Sequence, residues 1–142
     1  MTSTIFWEDE SVIYHVARGR RSETILVVED EDDVRRAAKR ILEQSGYQVL
    51  TAADGQEALD VLRQPGTIHL ILSDLVMPRL GGRALYDAAR REGKTTPFLF
   101  ASGYSPGDGR ATPPADLGVP LLHKPWTAGD LLARVREILD RT

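Results

Sequence analysis

Polar side chains follow four of the five short apolar runs in the sequence. Glu29 and Asp30 follow the first run, Asp74 the third, Ser102 the fourth and Lys124 the fifth. Runs of this length and composition are typical of buried parallel strands, whose carboxyl ends meet at one edge of a sheet. These side chains are therefore expected to share one site.

The chemistry of these side chains favours phosphoryl transfer at a metal ion. Neighbouring carboxylates repel one another and stay ionised together only beside a cation. Their hard oxygen atoms suit Mg²⁺, with Mn²⁺ as an alternative, and leave coordination positions for water and phosphate oxygens. A lysine supplies a point charge for a phosphoryl group, a serine hydroxyl can donate to it, and a carboxylate can be the nucleophile. The set predicts metal-assisted transfer of a phosphoryl group onto an aspartate.

Two patterns of apolar residues alternate along the chain: short continuous runs, typical of strands, and the spacing of an amphipathic helix. Helical spacing of apolar residues follows four of the five apolar runs, and Thr127 with Asp130 predicts a capped start for the last helix. Strands interleaved with helices require parallel crossovers, so the predicted fold class is α/β, with a doubly wound sheet. Pro120 predicts that the fifth strand lies at an edge. The five predicted strands are residues 24–28, 47–50, 68–72, 97–101 and 119–122.

Two segments do not continue this alternation. Residues 103–114 contain three prolines and three glycines, which favours a loop in place of a regular helix. Residues 11–16 could form an extra strand, whereas residues 18–21 have the composition of a solvated linker. A boundary near Ser22 is therefore expected. It divides an N-terminal extension or linker, residues 1–22, from a domain at residues 23–142.

Composition excludes several classes of protein. A chain of 142 residues with 42% hydrophobic and 27% charged residues is typical of one globular domain. Eighteen basic and twenty-one acidic residues give a net charge of −3, which disfavours direct nucleic-acid binding. There is no cysteine for a disulfide or a thiolate metal site. No apolar run approaches the roughly 20 residues that span a bilayer. These features predict a cytoplasmic domain without membrane contact.

Five segments together resemble the receiver (phosphoacceptor) domain of bacterial two-component response regulators. They occur in the order and at the spacings of that family, within a resemblance that covers about residues 24–142. The sequence around Ser102 and Lys124 is most similar to receivers at the C-terminus of hybrid sensor histidine kinases. The five segments are residues 25–31, 53–59, 73–82, 101–104 and 124–126.

The resemblance implies a flavodoxin-like, five-stranded parallel sheet of order 2-1-3-4-5 and a metal site at its edge. Asp74 would be the phosphoacceptor. Asp30 and Asp74 would ligate Mg²⁺ or Mn²⁺ directly, together with the backbone carbonyl of Val76. Glu29 would reach the metal through a water molecule.

The resemblance also assigns the phosphate contacts, and two features depart from the family pattern. Ser102 would be the switch hydroxyl and Lys124 the phosphate-binding lysine, with a cis bond expected between Lys124 and Pro125. Leu121 stands where an aromatic switch residue is usual. The fourth helix is degenerate or replaced by a loop. Output by rotation of an aromatic ring is therefore not expected.

The implied function is phosphorelay signal transduction. The receiver would take a phosphoryl group from a histidine kinase or a histidine phosphotransfer protein. It would catalyse its own phosphorylation and dephosphorylation without being a turnover enzyme by itself. The parent protein would be a hybrid sensor histidine kinase or a single-domain response regulator. In the first case the whole protein would be an enzyme, a histidine kinase. A weak dimer is left open.

Three other functions are weighed against this one. A phosphatase of the haloacid-dehalogenase type also uses an aspartyl-phosphate, but it would want an aspartate two positions after the nucleophile, where Val76 stands. A nucleotide-binding module of flavodoxin type would need a Gly-rich or Ser/Thr-rich loop after the first strand, but residues 29–33 are all acidic. A metal-independent interaction module is the third alternative.

Overall fold

A computed structural model of the chain describes residues 23–103 and 117–142. In chain order, its helices and strands are β1 (Thr24–Val28), α1 (Asp32–Gln44), β2 (Gln48–Ala52), α2 (Gly55–Leu62), β3 (Leu70–Asp74), α3 (Gly82–Arg91), β4 (Phe98–Ser102), β5 (Leu121–His123) and α4 (Ala128–Arg141).

The five strands form one parallel sheet in the order β2-β1-β3-β4-β5, which is the order that the family resemblance implies. The chain passes from β1 to β2 on one side and then returns to place β3 on the other side of β1. The carboxyl ends of β1 and β3 therefore lie next to each other where the strand order reverses, which is the usual ligand position in such sheets. β5 is an edge strand, as Pro120 predicts.

Alternate residues of each strand point to opposite faces of the sheet, and each face is covered by two helices. In β1, Ile25 and Val27 belong to the cluster that packs against α1 and α4, whereas Leu26 and Val28 belong to the cluster that packs against α2 and α3. Because both faces of the central strands are covered in this way, β1 and β4 read as continuous hydrophobic runs, whereas the edge strand β2 does not. The helical residues of the two clusters are Ala38, Leu42, Leu131, Val135, Ile138 and Leu139 on the first face and Ala58, Leu59, Leu62, Leu85 and Ala89 on the second.

The ends of two helices are fixed by side-chain caps. Thr127 accepts a hydrogen bond from the backbone N–H of Asp130 while the Asp130 side chain accepts one from the N–H of Thr127, which confirms the predicted cap of α4. Asp54 caps α2 by a single hydrogen bond, which its side chain accepts from the N–H of Glu57. These caps fix where the chain enters each helix after it leaves the sheet edge.

The bounds of β1 are those the pattern predicts, whereas the bounds of the other four strands differ by one or two residues, and the difference in β3 bears on the site. The apolar pattern ends this strand at Leu72 because Ser73 is polar, but β3 runs through Ser73 to Asp74. Ser73 pairs with Val28 and Asp74 with Ala101 through the backbone, which does not depend on side-chain polarity. The buried Ser73 hydroxyl donates to the Asp74 carbonyl at 2.9 Å. Asp74 is therefore held inside the sheet as the last residue of β3.

Several predictions concern residues outside those described. The extension at 1–22, its boundary near Ser22 and most of the loop at 103–118 lie there, and so does the predicted degenerate helix. Leu121 is described: its side chain is half-buried and packs against the α2–α3 cluster. Within residues 23–103 and 117–142, no helix is both long enough and apolar enough to cross a membrane.

Candidate functional site

Backbone pairing holds the ends of the strands together at the edge where the predicted site residues lie. Glu29, the residue after β1, donates its N–H to the Ala52 carbonyl at 3.0 Å. On the other side of the sheet, the Lys124 N–H, just after β5, donates to the Ser102 carbonyl at 2.9 Å. Glu29, Asp74, Ser102 and Lys124 are thus all fixed by the sheet itself.

Three carboxylates converge where the strand order reverses. Oxygen atoms of Glu29, Asp30 and Asp74 all lie within 4.8 Å of one another. Glu29 is 4% exposed and Asp74 is 9% exposed, whereas Asp30 faces solvent. The site is therefore a shallow acidic pocket with a buried floor and one open side.

The ammonium group of Lys124 partly neutralises this pocket. Its Nζ lies 2.6 Å from Glu29 Oε1 and 3.2 Å from Asp74 Oδ2. The other Glu29 oxygen accepts the N–H of Glu31 at 3.1 Å. The two buried carboxylates therefore share one cation, which lowers the cost of placing like charges side by side.

The pKa values of Glu29 and Lys124 are both raised, for different reasons. Burial raises the pKa of Glu29, and the nearby Asp74 carboxylate adds to this effect, against the opposing contacts of Lys124 and the Glu31 N–H. Burial alone would lower the pKa of Lys124, but its contacts with Glu29 and Asp74 outweigh burial and raise that pKa. Lys124 is therefore charged at neutral pH.

Two further predicted residues flank the pocket. Ser102, the last residue of β4, is 3% exposed. Val76 lies two positions after Asp74 in the loop that leads to α3. Its side chain is 49% exposed, and its backbone N lies 3.5 Å from Asp74 Oδ1. The Lys124–Pro125 bond is cis, as expected from the sequence.

The two histidines among the described residues lie outside the pocket. His69 Nδ1 accepts a hydrogen bond from the Thr24 N–H at 2.9 Å, at the opposite end of the sheet. His123 is exposed at the edge strand. Neither belongs to the acidic cluster.

Sequence reasoning missed two arginines that brace the loops around the pocket. Arg35, in the first turns of α1, donates from Nη1 to the Glu29 carbonyl at 2.7 Å and also pairs with Asp32. Arg79, in the loop after β3, pairs with the Asp54 carboxylate at the start of α2. Spacing along the chain gives no signal for the second pair, because 25 positions separate its members.

Comparison with known proteins places these features in a family. The family model described as "Response regulator receiver domain" matches residues 25–136. The sensor kinase CckA of Brucella abortus is 37% identical over 121 residues, which are 84% of this chain and 13% of that protein. The chain thus spans a small part of that kinase and about half of the other curated relatives it matches.

Solved receiver structures share the fold. The receiver domain of the hybrid histidine kinase CckA is 43% identical, with a TM-score of 0.68 over 82% of this chain and 98% of that chain. The response regulator TrrA of Thermotoga maritima, solved in complex with Mg²⁺ and BeF, is 25% identical, with a TM-score of 0.68 over 82% of this chain and 98% of that one. With its fold, its strand order and a family match over most of its length, the chain belongs to the response regulator receiver domains of two-component systems.

Proposed function

We propose that Asp74 is the residue that accepts the phosphoryl group, with Lys124 and Ser102 as its partners in the reaction. The observation that carries the proposal is the position of the Asp74 carboxylate. It ends a buried strand, lies within 4.8 Å of two other carboxylates and contacts an ammonium group. A carboxylate held in this way is oriented for attack without further rearrangement of the backbone.

The proposed reaction joins an Asp74 carboxylate oxygen to phosphorus while the bond from phosphorus to the donor breaks. With a phosphohistidine donor, the imidazole nitrogen leaves with the electrons of the broken bond. Lys124 Nζ, 3.2 Å from Asp74 Oδ2, would bind an oxygen of the incoming group. The hydroxyl of Ser102, at the end of the neighbouring strand, would donate to another oxygen.

The donor set fits a hard divalent cation. Carboxylate oxygens from Glu29, Asp30 and Asp74 are the ligands that Mg²⁺ and Mn²⁺ prefer, and the open side at Asp30 leaves room for water. Asp30 and Asp74 would bind the ion directly, with the Val76 carbonyl, and Glu29 would act through water. The bound ion would supply positive charge for the phosphoryl oxygens. The presence of Mg²⁺ and BeF in the TrrA complex supports a divalent cation in a domain of this fold.

The partner would be a histidine kinase or a histidine phosphotransfer protein in the cytoplasm. A groove beside Lys124 gives such a partner a contact surface. It is lined by Val34 and Ala37 of α1 and by Pro125 and Trp126. An apolar groove adjoining the reactive carboxylate suits a partner that must bring its phosphohistidine to Asp74. The similarity to CckA favours a hybrid kinase as the parent protein, with a single-domain response regulator as the other context.

Incubation with acetyl phosphate and Mg²⁺, followed by intact-mass measurement, tests the proposal. We expect one base-labile phosphoryl adduct per chain, and none when EDTA removes the ion. Sustained release of phosphate would favour a phosphatase instead. That outcome is disfavoured by Val76, whose apolar side chain cannot act as a general acid two positions after the nucleophile.

A further inference from the structure

We infer that Asp54 and Arg79 are positioning residues for the cation site, because they hold the loop that follows Asp74 against the start of α2. This inference rests on the proposed function, in which the Val76 carbonyl of that loop is a metal ligand. We call the loop at residues 75–81 the acceptor loop. It connects β3 to α3, and neither Asp54 nor Arg79 belongs to the acidic cluster itself.

The Asp54 carboxylate serves two elements at once. One oxygen, Oδ1, accepts the N–H of Glu57 at 2.9 Å and so caps α2. The other, Oδ2, accepts Nε of Arg79 at 2.9 Å, together with a second contact from the same guanidinium. Asp54 is 7% exposed, so its position is fixed by its surroundings. The carboxylate therefore connects a rigid helix end to the acceptor loop.

Arg79 adopts a backbone conformation that indicates a constraint on the loop. Its φ is 65°, and among the described residues it is the one non-glycine with positive φ. An L-residue with a long side chain pays an energetic cost in this region, and such residues persist where their surroundings impose the conformation. At Arg79 two contacts impose the constraint. The N–H of Leu80 donates to the Pro78 carbonyl at 2.7 Å and closes a tight turn over Arg79, while the ion pair with Asp54 holds its side chain.

Two close backbone approaches fix the same loop near its C-terminal end. The N–H of Gly55 donates to the Leu80 carbonyl at 3.2 Å, and a Cβ at position 55 would lie 2.3 Å from that carbonyl oxygen. The N–H of Gly82 donates to the Leu75 carbonyl at 2.9 Å, and a Cβ at position 82 would lie 2.5 Å from the Asp74 carbonyl oxygen. The acceptor loop is thus tied both to α2 and to the backbone of the acceptor itself.

Between these attachments, Val76 has little packing of its own. Its side chain is 49% exposed, so burial does not fix the direction of its carbonyl. That direction therefore depends on the path of the acceptor loop, to which the Asp54–Arg79 pair contributes three positions later, beside the backbone contacts of Leu75 and Leu80. Residues that orient a ligand without touching the ion commonly change metal affinity about tenfold or more when they are replaced. We expect the Asp54–Arg79 pair to act on the cation site in this way.

The test measures Mg²⁺ affinity by calorimetry on the whole chain, without a phosphoryl donor. Arg79→Gly removes the ion pair and also relieves the positive φ. Asp54→Asn keeps an oxygen to cap α2 but removes the charge that holds Arg79. We expect about tenfold weaker Mg²⁺ binding in each variant, and about the same loss in the double variant, because both replacements break one contact.

If the two residues acted on the cation only through their charges, the two variants would shift Mg²⁺ affinity in opposite directions, so the test distinguishes positioning from charge. Removing the positive charge of Arg79 would strengthen cation binding, whereas removing the negative charge of Asp54 would weaken it. Arg63→Ala is the matched control, because it breaks the exposed pair of Arg63 with Glu92 far from the acceptor loop. It should leave Mg²⁺ affinity unchanged even if it lowers the melting temperature.

Asp30→Ala distinguishes a failure of the positioning role from a failure of the proposed cation site. If Asp30→Ala weakens Mg²⁺ binding but Arg79→Gly and Asp54→Asn bind like the wild type, the positioning role is wrong and the proposed function stands. Opposite shifts in Arg79→Gly and Asp54→Asn would likewise overturn positioning in favour of charge. If the wild-type chain binds no Mg²⁺, both the positioning role and the proposed cation site are wrong.

Discussion

The ammonium group of Lys124 lies 2.6 Å from the Glu29 carboxylate, although 95 positions separate the two residues along the chain. The same ammonium group contacts Asp74 at 3.2 Å, so one side chain provides the positive charge for two buried acids. A divalent cation bound at this pocket would add positive charge beside Lys124. The lysine and the cation therefore compete for the same carboxylates.

This competition predicts that Lys124→Ala binds Mg²⁺ more tightly than the wild type, by about tenfold, which is about 1.4 kcal/mol. The same variant should lose most of its phosphorylation by acetyl phosphate, because the group that binds the incoming phosphoryl oxygens is missing. Calorimetric titration with Mg²⁺ checks the first effect and intact-mass kinetics the second. Lys94→Ala, at the opposite end of the sheet, is the control. Equal or weaker Mg²⁺ binding by Lys124→Ala would show that the lysine does not compete.

The Asp54 carboxylate predicts a pH-dependent contribution to stability. The hydrogen bond from the Glu57 N–H has the largest effect on the pKa of Asp54, and the contact with Arg79 adds to it. Together they lower this pKa below its ordinary value of 3.8. An acid with a lowered pKa in the folded state stabilises the fold above its unfolded pKa, and this contribution is lost as the pH falls through the folded pKa. Asp54→Ala should therefore lower the free energy of unfolding by about 1 kcal/mol at pH 7, mostly through loss of the cap.

Urea denaturation from pH 7 down to pH 3 measures this contribution. The difference between wild type and Asp54→Ala should be constant above about pH 5 and shrink as the pH falls below 3.8. Asp54→Asn should lose less than Asp54→Ala, because an asparagine oxygen can still cap α2. A stability difference that grows as the pH falls would contradict the assigned direction of the shift.

The groove beside Lys124 predicts a variant that separates docking from chemistry. Ala37 is exposed on α1 and lines this groove, so Ala37→Arg should block a protein partner while leaving the carboxylates unchanged. With a phosphorylated histidine kinase that labels the wild-type chain, transfer should slow at least about tenfold, the usual scale for disrupting an interface contact. With acetyl phosphate, the rate should stay at the wild-type value. Ala133→Arg, at an exposed alanine of α4, is the matched control.

Two results would argue against docking at this groove. Equal transfer from the kinase to Ala37→Arg and to the wild type would place the partner elsewhere. Slower labelling of Ala37→Arg by acetyl phosphate would instead mean that the substitution disturbs the site directly.

Much of the sheet and of the pocket follows from the sequence because apolar runs and polar strand ends are local signals. The run at Thr24–Val28 has the same bounds in the structure, and the cap formed by Thr127 and Asp130 is present as predicted. The order of the strands came from the family resemblance and is confirmed. The roles of Asp74, Ser102 and Lys124 in the chemistry stay predictions, which the experiments above address.

The features that the sequence did not predict are contacts between distant parts of the chain, which depend on its path in three dimensions. Ser73 and Asp74 lie inside β3 because backbone pairing carries the strand beyond its apolar residues. The contact between Arg79 and Asp54 requires a left-handed residue in the acceptor loop, and hydrophobic periodicity carries no information about such a residue. The brace from Arg35 to the Glu29 carbonyl was missed for a related reason, since an arginine on a helix reads as a solvated charge.

Labelling of Asp74→Asn decides whether Asp74 is the residue that accepts the phosphoryl group. Wild type, Asp74→Asn and the control Asp60→Asn, at an exposed position of α2, are incubated with acetyl phosphate and Mg²⁺ and analysed by intact mass. We expect one phosphoryl adduct on the wild type and on Asp60→Asn and none on Asp74→Asn, with all three folded by circular dichroism. An undiminished base-labile adduct on folded Asp74→Asn would show that another residue accepts the phosphoryl group.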